Sequence, residues 1–415
     1  MKKILQYPVA VLFGVFILVF FLVDVLNPDR SYSEFENTVL TTRPAFSISG
    51  FFDGSFGSNY VEYINDQIAG RDDWISLKAV ADLLLGRVES HGVTFGDDSY
   101  MVEKLQIVGD EQKQVNSSTN VVAQSSVNRA VGMVRSFLEM YDKEVTLSLV
   151  PNSQAILGDK LPEGFPGVDE LSYSQQIYDQ LSDADDQLEV VDFSEALSEH
   201  KDEYIYYKTD HHWTTLGAYY AYREYCEQKG LTPVELSDLP QAQTVEDFYG
   251  TFYSKAKRPG QQSDTITWYD VDVDEFAFVA NLQQDPELKE LGEVIQEDEL
   301  ELLSVDSMMD ERKLSTRDKY AGFLWGNSGY VKIKSSHNLN HEDGKTSRLL
   351  IFKDSYANSM LPYLTYNYDE IVVVDLRYMA KSTAELMQED FDDIFIMYNF
   401  STFVSSAPDL ARLQF

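Results

Sequence analysis

Three short apolar runs near the C-terminus constrain the fold most: Arg348-Leu349-Leu350-Ile351-Phe352, Glu370-Ile371-Val372-Val373-Val374 and Asp393-Ile394-Phe395-Ile396-Met397. None alternates polar with apolar residues, so each reads as a strand buried on both faces, the mark of a parallel sheet covered by helices. Val145-Thr146-Leu147-Ser148-Leu149-Val150 and Leu188-Glu189-Val190-Val191-Asp192 read as two earlier strands. Helical patterns near 120–142 and 173–183 precede these two strands in turn, and another near 214–229 follows them. The expected class is α/β, with a doubly wound, mostly parallel sheet and helices on both faces. Residues 240–345 break the rhythm with acidic stretches and read as a partly β insertion that could wall a cleft.

The N-terminus predicts a compartment. Met1-Lys2-Lys3 precedes Ile4–Val23, a stretch without a charged residue. Twenty helical residues span about 30 Å, the hydrocarbon thickness of a bilayer. With lysines before the run and acids after it, residues 1–26 are expected to form an uncleaved transmembrane signal anchor. This places the protein in the cell membrane as a single-pass chain with its C-terminal domain extracytoplasmic. Residues 27–100 then form a stalk and lead-in. They include a helical pattern over Tyr60–Leu85, broken at Gly70, with Asp72 or Asp73 as a helix cap. Residues 101–415 form the catalytic domain. The net charge of −36 repels nucleic acid, whose binding needs Lys and Arg against phosphates. Cys226, the one cysteine, rules out an intrachain disulfide.

Two segments carry candidate chemistry. In Tyr207-Lys208-Thr209-Asp210-His211-His212-Trp213-Thr214, an acid and a histidine two apart share a loop just ahead of a helix. A carboxylate there can hold an imidazole Nδ1–H and leave Nε2 as a base. Trp213 is placed to pack under the pair. In Arg348–Ser359, an apolar strand runs into Lys353-Asp354-Ser355 and then into a helical stretch. A serine at such an elbow presents Oγ at the carboxyl edge of the sheet, with its own N–H aimed where an oxyanion forms. Each residue has a plainer alternative: Ser355 and Asp210 as helix caps, His212 as a buried structural histidine. Asp210-His211-His212 also offers three metal-ligand types side by side, but adjacent histidines on a strand diverge, and the other histidines lack partner spacing. No metal or cofactor is expected.

The histidine segment resembles the signature of the bacterial DHHW proteins, relatives of the SGNH-hydrolase-like alginate O-acetylation proteins. Tyr32–Asn37, Asp66–Asp72, Val150-Pro151-Asn152, Phe248–Ser254 and Lys353–Ser359 match the family in order. The resemblance implies Ser355 as nucleophile, His212 as base and Asp210 as its orienter. It implies an O-acetyltransferase acting on a surface or secreted polysaccharide, supplied with acyl groups by a membrane partner of the MBOAT type. An acetyl esterase with the same triad and a non-catalytic glycan- or partner-binding module are the competing readings. Lys353 stands where SGNH hydrolases generally have Gly. For the remaining oxyanion and substrate contacts the candidates are Asn152, Asn358, Asn327, Trp213 and Tyr356.

Overall fold

The computed structural model describes residues 7–33, 38–115, 120–141, 143–183 and 187–414. The chain forms two compact units: one of Met1–Ser90 with Ser254–Gln261, the other of His91–Tyr253 with Gln262–Phe415.

In the first unit, helix α1 spans Pro8–Leu26, with proline at its first position, where the missing N–H costs nothing. Helices α2 (Ser55–Gln67) and α3 (Arg71–Leu84) replace the single broken pattern expected over 60–85. Gly70, at φ +69°, is the residue that starts α3. Asp72 and Asp73 are not its caps; they sit in its first turn, where carboxylates face the positive end of the helix dipole. The expected membrane-spanning anchor is not found: among the described residues no helix is long and apolar enough to cross a membrane. Residues 1–6 of the expected anchor lie outside the described residues. The described helix starts only at Pro8 and carries Asp24 near its end. There the Asp24 carboxylate accepts a hydrogen bond from the Ala69 N–H at 3.0 Å.

The second unit is built on a nine-stranded sheet. Its strands are β1 (Val145–Val150), β2 (Leu188–Val190), β3 (Glu275–Phe278), β4 (Glu293–Glu297), β5 (Leu300–Ser304), β6 (Val331–Lys334), β7 (Arg348–Lys353), β8 (Glu370–Val374) and β9 (Asp393–Asn399). They lie in the order β4-β5-β3-β6-β8-β7-β9-β1-β2. The five strands from β8 to β2 pair in parallel. Strands β3 to β6 continue the sheet with antiparallel pairings. The expected mostly parallel sheet is therefore mixed, half of its pairings being antiparallel. The reason is that residues 275–334, read from sequence as an interruption, donate four strands to the same sheet.

Both faces of the parallel half are covered, as continuous apolar runs require. On β7, Leu349 and Ile351 pack into one core, with helix Thr215–Lys229. Leu350 and Phe352 pack into the other, with helices Gln124–Met140 and Glu170–Ser182. Strands β8 and β9 alternate in the same way. A third apolar cluster joins Tyr207, Tyr320 and Phe323 to the hairpin of Ala242–Phe248 and Asp264–Tyr269. The carboxyl ends of β1, β7 and β9 lie side by side. They deliver Pro151-Asn152, Asp354-Ser355 and Asn399 to one edge, where open α/β sheets place their sites.

Candidate active site

The loop over 206–213 is a tight excursion closed at its base. Tyr206 and Trp213 form an isolated antiparallel bridge, and the Tyr207 N–H donates to the His212 carbonyl at 3.2 Å. Asp264, at the start of a hairpin strand, anchors the rising limb. It accepts from the Lys208 N–H at 2.8 Å, the Thr209 N–H at 2.8 Å and the Thr209 hydroxyl at 2.5 Å, and also from the Tyr204 hydroxyl. Burial raises the Asp264 carboxyl, against the pull of those four donors. Thr214, not Asp210, caps the following helix: its side chain accepts from the Gly217 N–H. Asp210 is thereby left for other work.

On the serine side, β7 runs into Asp354, whose carboxylate accepts from the Tyr356 N–H at 3.0 Å and the Asn399 N–H at 2.8 Å. The aspartate thus caps the 3₁₀ turn Ser355–Ser359, leaving the serine itself uncommitted to capping. From Ile351 to Met360 every residue is buried except Ser355, which is half-buried. The turn begins at Ser355, so its N–H is one of the donors a helix start leaves unpaired.

The two segments meet. The His212 Nε2 lies 2.8 Å from the Ser355 Oγ, and the His212 Nδ1 lies 2.6 Å from the Asp210 Oδ1. The same Asp210 oxygen accepts from the His212 N–H at 3.1 Å, while Oδ2 accepts from the Thr251 N–H at 2.7 Å. With Nδ1 facing a carboxylate, the imidazole carries its proton there and presents Nε2 as an acceptor to the serine hydroxyl. Burial would raise the Asp210 carboxyl, but the His211 and His212 charges, with the hydrogen bonds, hold it well below the usual carboxylate range. Gly250 leaves room for this carboxylate, because a Cβ at that position would collide with Asp210.

The other candidates divide. Trp213 is fully buried and donates from Nε1 to the Tyr356 carbonyl and the Ser359 hydroxyl, each at 3.0 Å. It ties the histidine loop to the serine turn instead of facing a substrate. Tyr356 is equally buried, its hydroxyl donating to the His211 carbonyl and its N–H spent on Asp354. Asn152 is not placed as an oxyanion donor: its Nδ2 donates to Glu170 at 2.9 Å and to Ser401 at 2.7 Å. Asn358 is also spent, its oxygen on the Lys353 Nζ at 2.7 Å and its nitrogen weakly on the Gly326 carbonyl and on Asn327. Asn327 is exposed; its oxygen accepts from Lys353, and its amide nitrogen makes no hydrogen bond among the described residues. Lys353 does not crowd the serine. It points into the protein, 1% exposed, 3.7 Å from Asp375, and burial lowers its ammonium to about 8.

Sequence reasoning missed Tyr320. Its ring stacks on the His212 imidazole with centroids 3.7 Å apart and planes 12° from parallel, and its hydroxyl donates to the Ser355 carbonyl at 3.0 Å. One residue thus contacts both His212 and Ser355. It lies in an irregular stretch with no local pattern that could have singled it out. His211 also differs from expectation: its ring does not diverge but lies 3.8 Å from that of His212, with Nδ1 2.8 Å from the Thr251 hydroxyl. Asp210, His211 and His212 present ligand atoms within 4.8 Å of one another, so the geometry of a metal cluster exists there. Of these groups, the Asp210 Oδ1 and the His212 Nδ1 already bond each other at 2.6 Å.

The hydrogen-bonded Ser–His–Asp array at the carboxyl edge of the parallel half of a mixed α/β sheet has the arrangement of a serine nucleophile site. The family model described as DHHW protein matches residues 175–374, which include both segments. Among solved structures it is similar to a DHHW family protein from Eubacterium siraeum DSM 15702, with 24% identity, 78% of this chain and 96% of that one covered, and a TM-score of 0.57. It is also similar to Bacillus cereus PatB1 with a sulfonyl adduct, at 14% identity over 75% of this chain and 97% of that one, with a TM-score of 0.52. A looser likeness, at TM-score 0.40 and 12% identity over 78% of this chain and 98% of that one, is to the O-acetyltransferase domain of Pseudomonas putida AlgJ. Among curated proteins none matches the chain.

Proposed function

We propose that the protein is a serine O-acetyltransferase that works outside the cytoplasm on a polysaccharide, with Ser355 as nucleophile, His212 as base and Asp210 as the orienting acid. The observation that carries this reading is the unbroken line of contacts from the Asp210 Oδ1 through the imidazole to the Ser355 Oγ, at 2.6 and 2.8 Å. The His212 Nε2 takes the hydroxyl proton as Oγ attacks the acyl carbonyl. The donor's C–O bond breaks, and the imidazolium returns that proton to the departing alkoxide, leaving an acyl ester on Ser355. A sugar hydroxyl then gives its proton to Nε2 and attacks the ester. The acyl–Oγ bond breaks, and the serine recovers its proton. The Ser355 N–H stabilises the oxyanion in both halves, and the Asn327 amide is the candidate for a second donor. The polysaccharide acceptor and an MBOAT-type membrane partner as acyl source follow from the DHHW resemblance.

The test is the fate of the acyl group. Protein incubated with an activated acetyl ester is mixed with an oligosaccharide, and the products are resolved by mass spectrometry. Transfer to sugar hydroxyls in preference to water is expected. Release to water alone makes the protein an esterase, and no acylation of Ser355 leaves a binding module.

A further inference from the structure

The His212 imidazole is enclosed by rings. The Tyr320 ring lies 3.7 Å away, centre to centre, with planes 12° apart, and the His211 ring lies 3.8 Å away. Two rings that close cannot share one face, so Tyr320 covers one side of the imidazole and His211 the other. Tyr356 approaches at 5.0 Å, tilted by 48°. Asp210 takes the Nδ1 edge and Ser355 the Nε2 edge. The titratable groups packed against the base are therefore Asp210 and His211 from its own loop, Tyr356 from the serine turn and Tyr320 from the turn Lys319–Gly322.

Tyr320 is held firmly in this position. It is buried, its ring meets Tyr207 nearly edge-on at 85°, and Phe323 packs 5.1 Å from it. Its hydroxyl donates to the Ser355 carbonyl at 3.0 Å and lies 3.3 Å from the Ser359 hydroxyl. Burial holds the phenol above its ordinary range, and the Asp210 and Asp354 carboxylates add to this, so the ring stays neutral. It turns toward the imidazole the face on which an aromatic quadrupole is negative.

The charge on that imidazole changes during the reaction. As the Ser355 Oγ bonds to the acyl carbon, its proton passes to the His212 Nε2. An imidazolium and a negative carbonyl oxygen form together, and the proton later leaves with the donor's alkoxide. A cation over an aromatic face is attracted to it, most strongly where water is excluded, and a neutral ring gains far less. An interaction made chiefly in the charged state lowers the barrier instead of merely tightening binding.

We propose that Tyr320 is a positioning residue for acyl transfer, its ring face holding the His212 base and favouring the imidazolium as it forms. The proposal rests on the catalytic reading of Ser355 and His212 above and adds a fourth residue to it.

The test varies the charge on the ring face and leaves its shape almost unchanged. Single-turnover acylation from an activated acetyl ester is measured on the full chain carrying Tyr320→Phe, and on forms in which that phenyl ring bears one, three or five fluorines. Circular dichroism confirms that each is folded. The acylation rate constant should fall stepwise with fluorine number, about tenfold across the series, while the half-saturating ester concentration stays constant. Fluorotyrosines at the same position, which keep the hydroxyl anchor, should show the same trend and serve if Tyr320→Phe does not fold. A rate indifferent to fluorination overturns the proposal, because a ring that only fills space is blind to its own charge distribution. A loss that appears only as a raised half-saturating concentration overturns it as well. A parent chain in which Ser355 never acylates overturns the catalytic reading, and this inference with it.

Discussion

Lys353 shows how a single residue can be misjudged from its position in the chain. It stands two residues before Ser355, where a charge would seem to bear on the reacting atoms. On strand β7, however, it faces the protein interior, with Asn358, Asn327 and Asp375 around its ammonium. Burial holds that ammonium at about 8, against an ordinary value of 10.5. Between those values the unfolded chain binds the proton more firmly than the folded one, so stability rises with pH there. The unfavourable charging is fully present below about pH 8 and is relieved as pH climbs toward 10. Lys353→Met, leaving Asp375 to Arg377 at 2.6 Å, should remove that slope, worth about 3 kcal/mol at most by the free energy of one pKa unit. Urea unfolding midpoints from pH 7 to 10 check this. Parallel curves for the two proteins would show that Lys353 does not titrate in this range. At the same scale, Asp210, His212 and Ser355 were legible in the sequence because each sits where an element begins or ends. Tyr320 was not, since its contacts with His212 and Ser355 join residues over 30 positions apart.

At the scale of elements, the histidine loop is a device for fixing one carboxylate. Asp264 and the Tyr206–Trp213 bridge set its base, Trp213 fastens it to the serine turn, and Gly250 leaves space for Asp210. A methyl group at residue 250 must push the carboxylate aside. Gly250→Ala is therefore expected to lower acyl transfer on the order of 100-fold, the cost of a small misplacement of a catalytic group. The rest of the fold should survive, because the collision is confined to the loop. Steady-state rates with circular dichroism on the same sample test it, and an unchanged rate would show that the loop accommodates the methyl group freely. The loop's position ahead of a helix was readable from the sequence. Its anchors were not: Asp264 comes from a region whose pattern predicted only an insertion, and Gly250, though inside the matched segment Phe248–Ser254, had nothing beside it in sequence to place it against Asp210. Trp213 was expected beneath the Asp–His pair and instead bonds the serine turn, a contact between segments over 140 residues apart that local pattern cannot reveal.

At the scale of the molecule, the parallel half of the sheet was legible because its strands are apolar on both faces, and only one architecture buries such strands. The antiparallel half was hidden by composition: Glu293–Glu297 and Leu300–Ser304 carry acids and fell within what read as a partly β insertion, yet they pair as a hairpin at the edge of the main sheet. There one side of each strand stays wet, and charges are tolerated. The N-terminal run read as a bilayer span from its uncharged length and its flanking charges. The described helix begins later, at Pro8, and bonds Asp24 to the chain near Ala69. The proposed function rests on Asp210, His212 and Ser355 acting as a unit. It is tested most directly by single-turnover acylation from an activated acetyl ester, on folded Ser355→Ala, His212→Ala, their double variant, Asp210→Asn and His211→Ala. Ser355→Ala and His212→Ala should each abolish the burst, with no further loss in the double variant, because residues that act together do not add. Asp210→Asn should fall less steeply, and His211→Ala least of all. A full burst from His212→Ala, or one lost in His211→Ala alone, would contradict the account.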